Sequence, residues 1–211
     1  MTRDITVHDR SGLLLSSSPE PTDEDISQAE LVGIVDATDW AKRARLKSKE
    51  VEFWQRLHKQ MFGQVWDWAG VWRQHEPNIG VPPHDIQPKM RNLQDDLAFW
   101  LSDECDMSVP ELISRFHHRL VYIHPFSNGN GRWGRLMTDV LAVRDLGLSA
   151  LTWAVGNDDL RDPDSVERKQ YVATIKAADT GDIDPLVDYL MHLNPKLKCT
   201  DQGRTLASSI V

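Results

Sequence analysis

The apolar positions of this chain recur mostly at helical spacing. From about Ser27, Leu31, Ile34, Val35 and Trp40 open one run, and Val51, Trp54, Leu57, His58 and Met61 form a second that stops near Gly63. Met90 to Leu101 repeats the pattern, with Leu93, Leu97 and Trp100 on one face. Leu112, Phe116, Leu120 and Ile123 make a further stripe, begun by Ser108 and Glu111 at capping-box spacing. That helix should stop at His124, because the residue before a proline is pushed out of the helical region. Leu136, Val140 and Val143 restart the period from about Gly131, with Met137 and Leu141 beside them. Arg168 to Ala178 and Asp184 to Leu193 give two shorter helices. The spacing predicts an all-α domain over residues 27–194, between a polar arm (1–26) and a tail (195–211).

The breaks in the pattern carry information too. Ser16-Ser17-Ser18-Pro19-Glu20-Pro21 interrupts the arm, which carries a short strand at Ile5 to Val7 and an apolar patch, Leu13-Leu14-Leu15, read as tucked onto the domain. Gln74 to Pro88 holds Pro77, Gly80, Pro82, Pro83 and Pro88 and reads as outside any helix interior, with Asn78, Ile79, Gly80 and Val81 as a short edge strand.

The densest chemistry lies between the central helices, in His124-Pro125-Phe126-Ser127-Asn128-Gly129-Asn130-Gly131-Arg132-Trp133-Gly134-Arg135. A helix N-terminus offers unpaired N–H groups and the positive end of a dipole, so it favours anions. Gly129 and Gly131 let the backbone approach a ligand. Arg132 and Arg135 project from one face of the first turn, where two cations are unfavourable unless a highly charged anion is present. A polyphosphate cradled by amides and clamped by two guanidiniums fits. His124 at the lip is suited to proton transfer, Asn128 offers a carbonyl to magnesium, and Asn130 can donate to a phosphate oxygen. Together these are the parts of phosphoryl or nucleotidyl transfer to a hydroxyl.

This string resembles the Fic motif, H-P-F-x-[D/E/N]-G-N-G-R-x-x-R, at every fixed position. Trp68-Ala69-Gly70-Val71-Trp72-Arg73 resembles the W-A-G-x-[Y/W]-R stretch that precedes it in the Fic family. The resemblance implies a Fic-type helical bundle with a small β-hairpin flap. It also implies transfer of AMP from ATP to a Tyr, Ser or Thr hydroxyl of a target protein. In it His124 is the general base, Asn128 holds Mg²⁺, and Gly129, Asn130 and Gly131 cradle the phosphates. Arg132 and Arg135 bind the β- and γ-phosphates, Phe126 anchors the loop in the core, and Asn78 to Val81 form the flap that pairs with the target. Many active members carry Asp or Glu where this chain has Asn128, and a neutral ligand holds magnesium more weakly.

Two rivals stand beside that reading: a phosphotransferase like the related Doc toxins, and a catalytically weak member acting as a binding module. The intact Gly129-Asn130-Gly131-Arg132 favours AMP transfer; Asn128 favours the weak member. In many relatives a helix bearing [S/T]-x-x-x-E-[G/N] sets a glutamate on the second arginine, here Arg135. Ser16 to Glu20 is followed by Pro21, and Ser27 to Glu30 has the wrong spacing, so inhibition is expected from a separate antitoxin-like protein, if at all. His117, His118 and His124 lack a partner pattern for a transition metal, and His117 and His118 read as core or helix-surface groups. Asp139, four residues after Arg135, is a candidate to orient it.

Composition narrows the partners. A net charge of −8 without a basic stripe argues against nucleic acid and membrane surfaces. Two distant cysteines argue against a disulfide or zinc framework. No run has membrane length and no signal-like segment opens the chain, so the expected compartment is the cytoplasm.

Overall fold

The computed structural model describes residues 10–16, 20–76, 79–155, 160, 162 and 164–197. Among them the chain forms helices α1 (Asp23–Arg43), α2 (Val51–Phe62), α3 (Pro83–Trp100), α4 (Val109–Ile123), α5 (Asn130–Val140), α6 (Val166–Asp179) and α7 (Asp184–Leu193). The expected strand at 5–7 and most of the tail lie outside the described residues.

Two helices begin earlier than their periodicity suggests. α1 starts at Asp23 because Thr22 and Asp25 close a capping box, Asp25 N–H donating to Thr22 Oγ1 at 3.1 Å and Thr22 N–H to Asp25 Oδ2 at 2.8 Å. α3 starts at Pro83, which corrects the reading of the proline-rich segment as non-helical. Pro83 sits in the first turn, where its missing N–H is no loss, and Pro88 forfeits one bond early in a helix held by buried Ile86, Met90, Leu93, Leu97 and Trp100.

Most large apolar side chains form one core among α1–α5, with Trp54, Trp66, Trp133, Phe53, Phe62, Phe116 and Phe126 fully enclosed. Leu13 and Leu15 pack on it, and Leu13 bridges Trp66, so this patch of the arm lies against the domain. A second, smaller core joins Ile113 of α4 to Tyr171, Ile175, Leu186 and Leu190 of α6 and α7. α4 faces both, which places its C-terminus at their boundary.

A π-helical turn, Leu141–Asp145, extends α5. Its Arg144 donates to the carbonyls of Ala41 at 3.0 Å, Ala44 at 3.1 Å and Leu46 at 3.2 Å, closing the C-terminal end of α1.

No strand occurs among the described residues, so the β-hairpin of the expected flap is not formed there. Ile79 and Gly80 are bends, Asn78 lies outside the described residues, and Val81 is already engaged. Its N–H donates to Ile123 O at 3.4 Å and its carbonyl accepts from Arg73, leaving it no free edge to pair. No described helix is long and apolar enough to cross a membrane.

Candidate active site at the α4–α5 junction

α4 ends as its sequence dictates. Ser108 Oγ accepts from Glu111 N–H at its start, and His124 caps its end in a left-handed conformation, φ 52° and ψ 59°. His124 is the one non-glycine residue with positive φ among those described. Burial pushes its imidazole down to about 4, opposed by the Val121 carbonyl and reinforced by the Arg73 charge. It is therefore neutral at physiological pH and a weaker base than an exposed histidine. Nδ1 is buried with no partner at bonding distance. With Nδ1 enclosed, Nε2 is the ring nitrogen left to meet a ligand.

The loop to α5 is held from inside. Phe126 is fully buried, stacked on His58 at 3.6 Å between centroids and 17° between planes, with Trp133 edge-on at 5.0 Å. Asn130 does not turn its side chain to the cradle. Its Oδ1 accepts from Phe126 N–H at 2.9 Å and its Nδ2 donates to Phe126 O at 2.8 Å, fixing the loop's curvature. Only its backbone can face an anion.

His58 supplies a second brace. Gly70 N–H donates to its Nδ1 at 3.0 Å, so Nε2 carries the proton and donates to Asn128 O at 3.1 Å. Burial holds this ring down to about 3, which keeps that tautomer neutral. Periodicity alone made His58 a packing residue.

Gly129 is the N-cap of α5 at φ 78°, and a Cβ there would fall 2.7 Å from the Phe62 ring. Glycine is required on both counts. At Gly131 a Cβ would meet only Arg135 Nη1, at 3.6 Å. The guanidinium thus curls back over the helix start, and residue 131 keeps the mouth of the cradle open.

The two arginines are held differently. Arg132 Nη1 donates to Glu30 Oε2 at 2.6 Å, and its guanidinium lies 4.8 Å over the Phe62 ring. Glu30, on α1, is 2% exposed and also accepts from Trp66 Nε1 at 2.8 Å. In the sequence Glu30 figured only in Ser27 to Glu30, whose spacing does not fit the inhibitory motif. Arg135 faces α6. Its charge and a hydrogen bond pull the Tyr171 hydroxyl back from the rise that burial imposes. Thr138 donates to Gly134 O at 2.7 Å, so it accepts from His117 Nδ1–H at 3.1 Å, and Tyr171 O–H donates to His117 Nε2 at 2.7 Å. Asp139 makes no ion pair with Arg135 among the described contacts. Its Oδ1 accepts instead from Leu151 N–H at 3.1 Å and Trp153 Nε1 at 3.0 Å, and burial pushes it up to about 7.

Magnesium fits poorly as a resident ion. Asn128 Oδ1 accepts from Gly129 N–H at 2.6 Å, and among the described residues no three His, Cys, Asp or Glu side chains gather around a metal position. One neutral carbonyl, already bonded, does not make a magnesium site.

Residues 49–142 match the model of the Fic/DOC family. That segment, residues 49–142, carries the Fic/DOC likeness. The protein adenylyltransferase Fic of Drosophila willistoni is 30% identical over 147 residues, covering 66% of this chain and 26% of its own length. The chain therefore spans about a quarter of that relative. Among solved structures, Fic-1 of C. elegans has a TM-score of 0.67 at 22% identity, covering 90% of this chain and 59% of that one. BepC of Bartonella tribocorum, solved with bound AMPPNP, has a TM-score of 0.61 at 15% identity, covering 86% of this chain and 91% of its own. These two likenesses establish the Fic fold.

Proposed function

We propose that the protein transfers AMP from ATP to a hydroxyl side chain of a target protein. The observation that carries this is the junction itself: a neutral, half-buried imidazole beside a helix N-terminus that starts at a left-handed glycine, with Arg135 curled over its first turn. The adenylyltransferase names of the relatives and the ATP analogue on BepC agree with it.

In this reading His124 Nε2 accepts the target hydroxyl's proton as that oxygen attacks the α-phosphorus. The bond to the bridging oxygen breaks, and pyrophosphate leaves with its charge countered by Arg132, Arg135 and the α5 amides of Gly131 and its neighbours. Magnesium would enter with the triphosphate, and Asn128 would offer it at most one neutral contact. The target's segment would lie along Ile79 and Gly80, since Val81 is already bonded; Ile79 is exposed and apolar, as a contact point should be. Glu30 sits on Arg132 and leaves Arg135 without a glutamate of this chain among the described pairs, so a separate antitoxin-like protein remains the proposed inhibitor of a toxin-like, cytoplasmic enzyme.

The inward-turned Asn128 favours a second reading, a weak enzyme that binds proteins. Labelled ATP separates the cases. Label from the α-phosphate on protein in a lysate, lost in His124→Ala with ATP binding kept, is the expected result. Label from the γ-phosphate alone would indicate Doc-like phosphorylation, and none at all the binding module.

A further inference from the structure

Arg73 is a buried cation with no carboxylate partner among the described residues. It is 2% exposed, and burial lowers its pKa, with only a weak opposing pull from Glu76. Leaving a guanidinium in the interior without a counterion is costly unless every donor is used. Here four of its five N–H donors are used, all on backbone carbonyls. Nε donates to His124 O at 2.7 Å, Nη2 to Ile123 O at 3.5 Å and to Val81 O, and Nη1 to His75 O at 3.1 Å. The backbone N–H of the same residue donates to Pro125 O at 3.0 Å. Three consecutive carbonyls, those of residues 123, 124 and 125, therefore accept from residue 73.

Those carbonyls belong to the C-terminal end of α4, where the dipole favours a cation. Closing a helix end does not require this, since a glycine or water does it routinely. What the arrangement adds is control of His124. A non-glycine residue in the left-handed region costs about 1–2 kcal/mol, so it persists only where its surroundings impose it. Gly80 closes the other side. A Cβ there would fall 2.5 Å from His124 Cβ and 3.0 Å from Arg73 Nη2, so the bare backbone of residue 80 packs directly against the root of the His124 side chain.

We propose that Arg73 is a positioning residue for the transfer reaction, acting with Gly80 to hold His124 in its left-handed conformation with Nε2 over the α5 cradle. This rests on the reading of His124 as proton acceptor. Arg73 touches neither nucleotide nor target; it fixes the peptide planes on both sides of the base. Lysine cannot replace the fork, because an ammonium reaches at most one or two of these carbonyls.

The test uses the full chain with Arg73→Lys and Gly80→Ala, read in two ways. In the first, ring signals of ¹³C-labelled histidine are recorded, with His124 assigned by its loss in His124→Ala. The His124 signal is expected to shift or broaden in both variants, while those of buried His58 and His117 stay in place. In the second, AMP transfer into lysate protein from α-labelled ATP is expected to fall about 100-fold in kcat, the scale of an ångström-sized misplacement. KM for ATP should stay within about twofold, since the cradle is intact. An unmoved His124 signal with unchanged kcat in either variant overturns the proposal. So does a parallel shift of all three histidines, which would mean general loosening. If Arg73→Lys does not fold, Gly80→Ala carries the same outcomes. A wild-type chain that transfers no label defeats the transfer reading alone, because the ring signals still report on positioning.

Discussion

The two faces of α5 solve the same problem in opposite ways. Arg132 looks toward α1 and meets a full negative charge, Glu30, sealed in by Trp66. Arg135 looks toward α6 and meets a neutral relay, Tyr171 to His117 to Thr138, with Asp139 pushed up to about 7 nearby. The first arginine is paired with a carboxylate; the second has no ion pair among the described contacts. Both braces, Glu30 and Tyr171, lie outside the segment 49–142 that matches the family. The motif supplies the arginines, and the flanking helices decide how each presents its charge.

The largest effect should come from breaking the α1 side. Glu30→Ala leaves Arg132 and Trp66 Nε1 without their acceptor and should destabilise the fold by about 3–5 kcal/mol, measured by urea unfolding. Glu30→Gln keeps an acceptor while removing the charge, and ATP affinity measured by calorimetry should rise. A fall would mean that orientation of Arg132 outweighs its neutralisation. On the α6 side, Arg135→Ala should weaken ATP binding by roughly 1.5–3 kcal/mol, the scale of a charge-assisted hydrogen bond. Equal affinity would make Arg135 purely structural.

Acid should also separate the two sides. His58 and His117 are both held at about 3, below the ordinary histidine value, so between pH 6.5 and 3 the unfolded chain binds protons that the native one refuses. Each then costs about 1.4 kcal/mol of stability per pH unit of acidification, and His124 adds to the loss. Asp139 has the opposite sign. Its folded value of about 7 lies above its ordinary 3.8, so the native state gains stability as pH falls through 7. The melting temperature should therefore peak slightly below neutral and fall below pH 6.5. Asp139→Asn should raise it at pH 8 and steepen the acid limb, and an unchanged profile would count against the buried, protonated acid. The smallest effect is expected at the loop. Asn128→Asp should lower the magnesium concentration needed for half-maximal ATP binding, and an identical titration would remove residue 128 from any metal role.

The α4–loop–α5 hairpin was legible in the sequence because its signals are local. Pro125 stops one helix, Gly129 starts the next, and the apolar stripes run up to both. What was not legible depends on partners distant in the chain. Glu30 lies in the buried stripe Ile26, Glu30, Gly33, Ala37, Ala41, and a lone acid among small and apolar neighbours was a readable sign of a buried cation. His58 carried the same sign in the stripe of α2. The start of α3 was misread because prolines were taken as breakers where Pro83 begins a helix, and the hairpin of the expected flap is not seen among the described residues. The carbonyl that a hairpin needs is held by Arg73, a contact that no local pattern contains.

Arg144 and Glu30 grip α1 at separate points, with about 16 Å of helix axis between Glu30 and Ala41. A rod bolted twice along its length cannot swing like a door on either bolt. In the proposed transfer, a target segment would therefore have to approach along the exposed stretch around Ile79 and not by a swing of α1.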